Sequence, residues 1–343
     1  MPAPTLADLP PPPPGRTGWP WTEASPPVDE RAGPWPRLTV VVPSYQQAEF
    51  IEETLRSILL QGYPNLELLV MDGGSKDGTV EILRRYEPWI KEWVSEKDGG
   101  QSAAINKGWR RATGELLTWL NSDDLLLPGW AAEIAAAFKG DPALDVVCCD
   151  VQVIDKDSRL MFTCVGAVPE PERILVRWSS PFGQQGVTMR RPVLEATGYV
   201  DERLHFTMDL ELWLRLALEG RKFGYIAKSL GAFRLHPAAK TGTRHDVHIS
   251  DMLLVTQEFL DSATAEQKSL AERARRRRYW NAAHISYDNR DHDESRRNAI
   301  RHLADDGWRA LPRVTGMVAL SFLGDRGHKL LELSRRMRAS ARS

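Results

Sequence analysis

Three apolar runs in this chain end in groups able to bind a ligand or move a proton. The most pointed is LLTWLNSDD, residues 116–124, in which four of the first five residues are apolar and two adjacent carboxylates, Asp123 and Asp124, close the run. Such a run reads as a buried strand delivering acidic oxygens to the rim of a sheet. Hard oxygen ligands there suit Mg²⁺ or Mn²⁺ carrying a phosphate. A surface turn whose aspartates cap the next helix would use the same residues, since Asp is a favoured cap. Two further runs, LTVVVPSY and LELLVMDGGSKDGT, end in Pro43-Ser44-Tyr45 and in Asp72, Gly73, Gly74 and Asp77. Asp72 and Asp77 are equally the chemistry of a turn.

These groups share a site only if the strands that carry them are parallel neighbours. Between the runs lie a predicted helix over 50–61 with apolar Ile51, Leu55, Ile58 and Leu59, a helix opening near Thr79, a weak strand over 90–95 that leads to Asp98, and a helix from Gln101 to about residue 113. Strands alternating with helices of this length give an α/β fold with a mainly parallel, Rossmann-like sheet flanked by helices. The loops after its strands open on one rim, where ligands bind. No glycine loop has the GxGxxG order of a dinucleotide fingerprint or the terminal GK[ST] of a P-loop, so a nucleotide here would be held by Asp and backbone.

Further on, the sequence predicts a helix over 128–139, a strand over 145–153, short strands around 160–168, a short helix over 169–178 and a loop holding Phe182, Gln184 and Gln185. FTMDLELWLRLALEG reads as a helix apolar around most of its circumference, Trp213 included, and so largely buried. Asp209 near its start either caps that helix or faces whatever the sheet rim holds. FGYIAKSLGAFRLHPAAKT predicts a pair of short strands closing on Arg234, His236 and Lys240. A lone His at a strand end is a ligand, a surface group or a satisfied core group.

The two ends differ in texture from this middle. Residues 1–37 hold 12 of the 23 prolines, which predicts a polyproline-like, partly disordered segment whose Trp19, Trp21 and Trp35 lie along the folded surface. Residues 38–245 would form the sheet domain and 246–343 a helical, arginine-rich extension. Residues 251–343 carry 18 Lys and Arg against 13 Asp and Glu, densest at Arg273 and 275–278. That cluster is either a solvated helix face or a contact for an anionic membrane surface or polyanionic acceptor.

With 343 residues, 42% hydrophobic and 27% charged, the composition is that of a globular protein, and a net charge of −1 argues against nucleic acid as a partner. Cys148, Cys149 and Cys164 have neither the count nor the spacing of a disulfide framework or zinc site, which fits a reducing compartment. No apolar stretch approaches the roughly 20 residues needed to span a bilayer, and the N-terminus lacks a signal-peptide core. A cytoplasmic location is expected, with docking on the inner face of a membrane as its variant.

In this order the pieces resemble the family 2 glycosyltransferases, which have the GT-A fold. The resemblance covers residues 37–241 and rests on VVVPSYQQAEFIEETLRSILLQGYPNLELLVMDGGSKDGT, EKDGGQSAAINKGWRRATGELLTWLNSDDLLLPG, FTMDLELWLRLALEG and FRLHPAAKT. It implies that Pro43, Ser44 and Tyr45 contact the donor nucleotide and that Asp72 holds its base. Asp98, Gln101 and Ser122 would belong to the donor site. Asp123 would bridge Mn²⁺ or Mg²⁺ to the donor diphosphate with Asp124 nearby, His236 would complete the metal site, and Asp209 would be the general base. Gln184, Gln185 and Trp213 would lie on the acceptor side.

There are departures from the family pattern. Asn121 stands where the usual DSDD has its first carboxylate, which removes a charge from the metal site. Met208 replaces the first acid of a Glu-Asp pair and leaves Asp209 as the one base. Ile174 stands where processive relatives have the Gln of QxxRW, so a non-processive enzyme is expected. The implied reaction is inverting transfer of a sugar from a nucleoside-diphosphate sugar to a hydroxyl of a glycan, lipid-linked or small-molecule acceptor, in glycan, polysaccharide or glycoconjugate biosynthesis. A sugar nucleotidyltransferase would need a glycine- and basic-rich triphosphate loop after the first strand, and VPSYQQAEF is neither. A non-catalytic nucleotide-sugar-binding scaffold is the reading that Asn121 suggests.

Overall fold

The structure is a computed structural model that describes residues 3–29, 31, 33–237, 239–240 and 244–324; residues 325–343 of the expected arginine-rich extension lie outside the described residues. It divides into two compact units, one of Met1–Glu170 with Ser180–Ala239, the other of Pro171–Ser179 with the chain from Lys240 onward.

The first unit begins with three βα repeats: β1 (Leu38–Ser44), α1 (Ile51–Leu59), β2 (Leu66–Asp72), α2 (Thr79–Tyr86), β3 (Glu92–Ser95) and α3 (Gln101–Arg111). β4 (Leu116–Trp119), the short β5 (Leu125–Leu126), α4 (Trp130–Gly140), β6 (Val146–Ile154) and β7 (Leu160–Cys164) follow. After α5 (Pro171–Arg177), which belongs to the second unit, come β8 (Thr188–Arg190), α6 (Arg191–Thr197), α7 (Met208–Leu218) and β9 (Phe223–Arg234).

All nine strands join one sheet in the order β3-β2-β1-β4-β8-β6-β9-β5, with β7 off this path and paired to the later residues of β6. β1 is parallel to β2 and β4, and β2 to β3. The continuous apolar runs explain this half, since a strand covered by helices on both faces needs apolar residues on both. β1 is buried along its whole length. The register sets Ser44 opposite Asp72 and Asp72 opposite Ser95, so these groups crown one rim. Gly108 of α3 permits close packing on β1, because a Cβ there would lie 2.3 Å from Val41 Cγ1.

The other half of the sheet is mixed: β8 is antiparallel to β4 and β6, β5 to β9, and β7 to β6, while β6 and β9 are parallel. Where the sequence suggested two short strands, the structure has the single strand β9. Its register against β6 slips where Ile226 faces Cys149 and Ser229 faces Asp150. The intervening Ala227 and Lys228 are exposed. A bulge of this kind interrupts the alternation of side chains and mimics a turn in sequence.

The proline-rich segment contributes no strand, yet its described residues form part of the first unit. Leu9 and Trp21 are buried, and Leu6, Trp19, Val28 and Trp35 pack against the main core. The guanidinium of the fully buried Arg56 on α1 donates to the carbonyls of Pro10, Pro20 and Trp21. Proline lacks an N–H but keeps its carbonyl, so a cation with several donors can secure a segment that cannot join a sheet.

The second unit packs α5 and four helices, α8 (His245–Ser262), α9 (Lys268–Asp288), α10 (His292–Asp306) and α11 (Leu311–Phe322). Ala283, Tyr287, Ala299, Ala310, Val314 and Met317 form its core. Three of the clustered arginines on α9 have carboxylate partners: Arg273 with Glu172, Arg276 with Glu272 and Asp306, and Arg278 with Asp305. Much of the basic cluster is thus neutralised within the unit. Among the described residues no helix is long and apolar enough to cross a membrane.

Candidate active site

The rim at the carboxyl ends of β1, β2 and β4 gathers most of the expected donor residues. Ser44 closes β1; its Oγ is buried and has no hydrogen-bond partner among the described residues. A buried hydroxyl without a partner costs free energy, so a polar ligand at this point is favoured. Tyr45 beside it is exposed. Gly73 brings Tyr45 near Asp98, since a Cβ on Gly73 would lie 3.3 Å from both Tyr45 Cδ2 and Asp98 Oδ2. Asp98 Oδ1 accepts from the N–H of Gly100, just before α3. Pro43 lies within β1 itself.

Asp72, expected to hold the base, closes β2 on the same rim. Its carboxylate is buried and accepts from the N–H groups of Gly74 and Ser75 and from the hydroxyls of Ser75 and Ser95. It is engaged in shaping the loop. Asp77 similarly braces the next turn, accepting from Thr79 and from the N–H of Ala48.

Asp123 and Asp124 diverge sharply although adjacent. Asp123 is partly exposed, and its Oδ2 lies 3.1 Å from His236 Nε2. The antiparallel pairing of β5 with β9, with Leu125 opposite Ala232, brings these distant segments together. Asp124 has no exposure. Its Oδ1 accepts from the N–H of Arg234 at 2.9 Å, and its Oδ2 accepts from Gln185 Nε2 at 2.7 Å and Asn121 Nδ2 at 3.0 Å. Burial, reinforced by the neighbouring Asp123, pushes its carboxyl well above the ordinary carboxylate range. Both oxygens of Asp124 are thus engaged by the chain's own donors.

Asn121 acquires a reason from the same contacts. Its Oδ1 accepts from Gln101 Nε2 at 2.7 Å while its Nδ2 donates to Asp124. An ionised carboxylate has no donor and could not do both. Ser122 is buried, and its carbonyl and that of Asp124 accept from the Thr54 hydroxyl of α1.

A carboxylate oxygen and an imidazole nitrogen converging on one point suit a divalent ion such as Mn²⁺, whose remaining positions phosphate and water can fill. Asp123 and His236 are the residues that would hold it. Among the described residues no group of three or more His, Cys, Asp and Glu is placed to hold a metal ion.

The three residues expected on the acceptor side, Gln184, Gln185 and Trp213, are all buried. Trp213 is fully buried, stacked on Trp119 at 5.8 Å and edge-on to Phe182 at 5.3 Å, and is core. Gln185 is spent on Asp124, and Gln184 Nε2 donates to the carbonyl of Trp119. Asp209 lies half-buried in the first turn of α7, with its Oδ1 accepting from the N–H of Leu210. The approach to α7 is anchored to α3, for Ser102 Oγ donates to the carbonyl of Leu204 and Asn106 Nδ2 to that of Val200. One helix thus braces both the donor rim, through Gln101, and the segment that leads to Asp209.

The reading missed Glu53 and Arg234 as parts of the site. Both are buried and paired at 3.0 Å beneath Asp123. The one signal was an acid beside Thr54 on the first helix and an arginine two residues before His236.

Residues 39–192 match the sequence model of glycosyl transferase family 2. A glycosyltransferase of Rickettsia typhi is 29% identical over 214 residues, 61% of this chain and 67% of its own. A glycosyltransferase of Mycobacterium tuberculosis is 36% identical over 107 residues, 31% of this chain and 41% of its own. Among solved structures, the mannosyltransferase PcManGT of Pyrobaculum calidifontis, in complex with GDP-Man and Mn²⁺, aligns with a TM-score of 0.56 and 20% identity, covering 91% of this chain and 90% of that one. The order of motifs, the GT-A sheet and these likenesses make residues 39–192 a glycosyl transferase family 2 domain.

Proposed function

We propose that the chain transfers a sugar, with inversion, from a nucleoside-diphosphate sugar to an acceptor hydroxyl in the assembly of a glycan or glycoconjugate, one residue at a time. The observation that carries this reading is the meeting of Asp123 and His236 on the rim where the buried Ser44 hydroxyl has no partner among the described residues. The mannosyltransferase PcManGT, similar in fold, is complexed with a nucleotide sugar and Mn²⁺. Pro43, Ser44, Tyr45, Asp98, Gln101 and Ser122 are proposed to line the donor nucleotide.

A nucleoside diphosphate leaves readily only when its developing charge is neutralised, which a divalent ion held by Asp123 and His236 would supply. The chain's own task is to orient and to move a proton. An acceptor hydroxyl has a pKa far above 7, so a carboxylate must take its proton as the oxygen attacks the anomeric carbon. Asp209 is proposed for that role. Attack opposite the departing diphosphate inverts the anomeric centre. Asn121, bonded on both sides, reads as a working part of the loop, which favours an enzyme over a scaffold.

A panel of nucleotide sugars incubated with Mn²⁺ tests the reading. Release of nucleoside diphosphate from one donor, with proton NMR showing the sugar anomer inverted in the product, is the expected result. No release from any donor, with or without acceptors, would leave only a binding protein.

A further inference from the structure

Arg234 is a fully buried arginine whose contacts all converge around the Asp123–His236 pair. Its Nε donates to the carbonyl of Asp123 at 2.7 Å. Its remaining donors reach the carbonyls of Asp155 and Lys156, Ser158 Oγ at 2.8 Å and Glu53 Oε2 at 3.0 Å. Its main-chain N–H holds Asp124. Glu53 closes the ring through Oε1, which accepts from Ser158 Oγ at 2.7 Å. Phe50 packs against both cation and ligand, with the guanidinium 5.0 Å and the His236 ring 4.7 Å from its own ring.

We propose that the buried Glu53–Arg234 pair is the positioning element of the metal site, holding the Asp123 main chain, the turn at 155–158 and, two residues on, His236 in ligand geometry. The inference rests on the proposed reading of Asp123 and His236 as metal ligands. A buried ion pair adds little stability over apolar residues of the same volume, so retaining one directly beneath a ligand pair points to geometry. Arginine suits the task because its planar fork presents five donors in fixed directions; lysine has the charge without the fork.

The test uses the full chain, with Mn²⁺ titrated by electron paramagnetic resonance in saturating UDP and separately in GDP, and with circular dichroism reporting folding. Arg234→Lys is expected to stay folded and to weaken Mn²⁺ binding on the order of 10–100-fold, the range for partners that orient metal ligands. The KM for Mn²⁺ in donor hydrolysis should rise in step. The double variant Glu53→Leu with Arg234→Met removes both charges, keeps the fold observable if the single variant fails, and is expected to melt near the wild-type temperature yet bind Mn²⁺ as weakly. Folded variants that bind Mn²⁺ with wild-type affinity overturn the positioning role alone. A wild-type chain that binds Mn²⁺ with neither nucleotide overturns the metal reading and this inference with it.

Discussion

His236 Nε2 lies 3.1 Å from Asp123 Oδ2 across 113 residues of sequence. The two segments meet because β5, of only two residues, pairs with the end of the long strand β9. The pairing fixes the main chain on which the two side chains stand.

In the proposed metal site, His236→Ala would leave Asp123 as the protein ligand. Metal-dependent nucleotide affinity should fall at least on the order of tenfold, since even outer partners of a metal cost that much. Calorimetry with Mn²⁺ and nucleoside diphosphate measures it, and unchanged affinity would return His236 to the role of a rim residue.

Asp209→Asn keeps the volume and removes the proposed base. Donor affinity should persist while transfer slows by on the order of 10²–10⁴, the usual contribution of general-base catalysis. Steady-state kinetics with saturating donor separates the two, and near-normal kcat would sink the assignment.

Trp213→Ala should act on stability. Removing a fully buried indole that stacks on Trp119 costs about 3–5 kcal/mol, read from chemical denaturation. An acceptor KM that rises without loss of stability would restore Trp213 to the acceptor site.

Stability of the second unit should depend on pH through His302. Its ring is buried on α10, both nitrogens lack partners among the described residues, and burial lowers its pKa below the ordinary histidine value. The unfolded chain therefore binds a proton at higher pH than the folded one. Stability is fully present above about pH 6.5 and declines as pH falls through the lowered folded value. His302→Phe should flatten that dependence in thermal melts between pH 7 and pH 5, and a profile identical to wild type would contradict it.

The central sheet was legible because its strands are continuous apolar runs, and the shared rim because those runs end in Ser44, Asp72 and Asp123. What stayed hidden has a common cause. Glu53 sits on a helix whose apolar period assigns it to solvent, yet its partner Arg234 arrives from 181 residues away and draws it under cover. Asp124 and Asp123 are indistinguishable in sequence, and only the third-dimension supply of donors from Gln185, Asn121 and Arg234 separates the two. Trp213 carries no mark that tells an aromatic of the core from one that greets a sugar. β9 was read as two strands because a bulge and a turn have the same local composition.

The most direct measurement is calorimetric titration of UDP and of GDP into the wild-type chain and Asp123→Ala, each with and without Mn²⁺. The predicted result is that one nucleotide binds the wild type at least on the order of tenfold more tightly with Mn²⁺, and that Asp123→Ala erases the difference while remaining folded. Equal affinity with and without Mn²⁺ in the wild type, or a metal effect that survives in Asp123→Ala, would contradict the account.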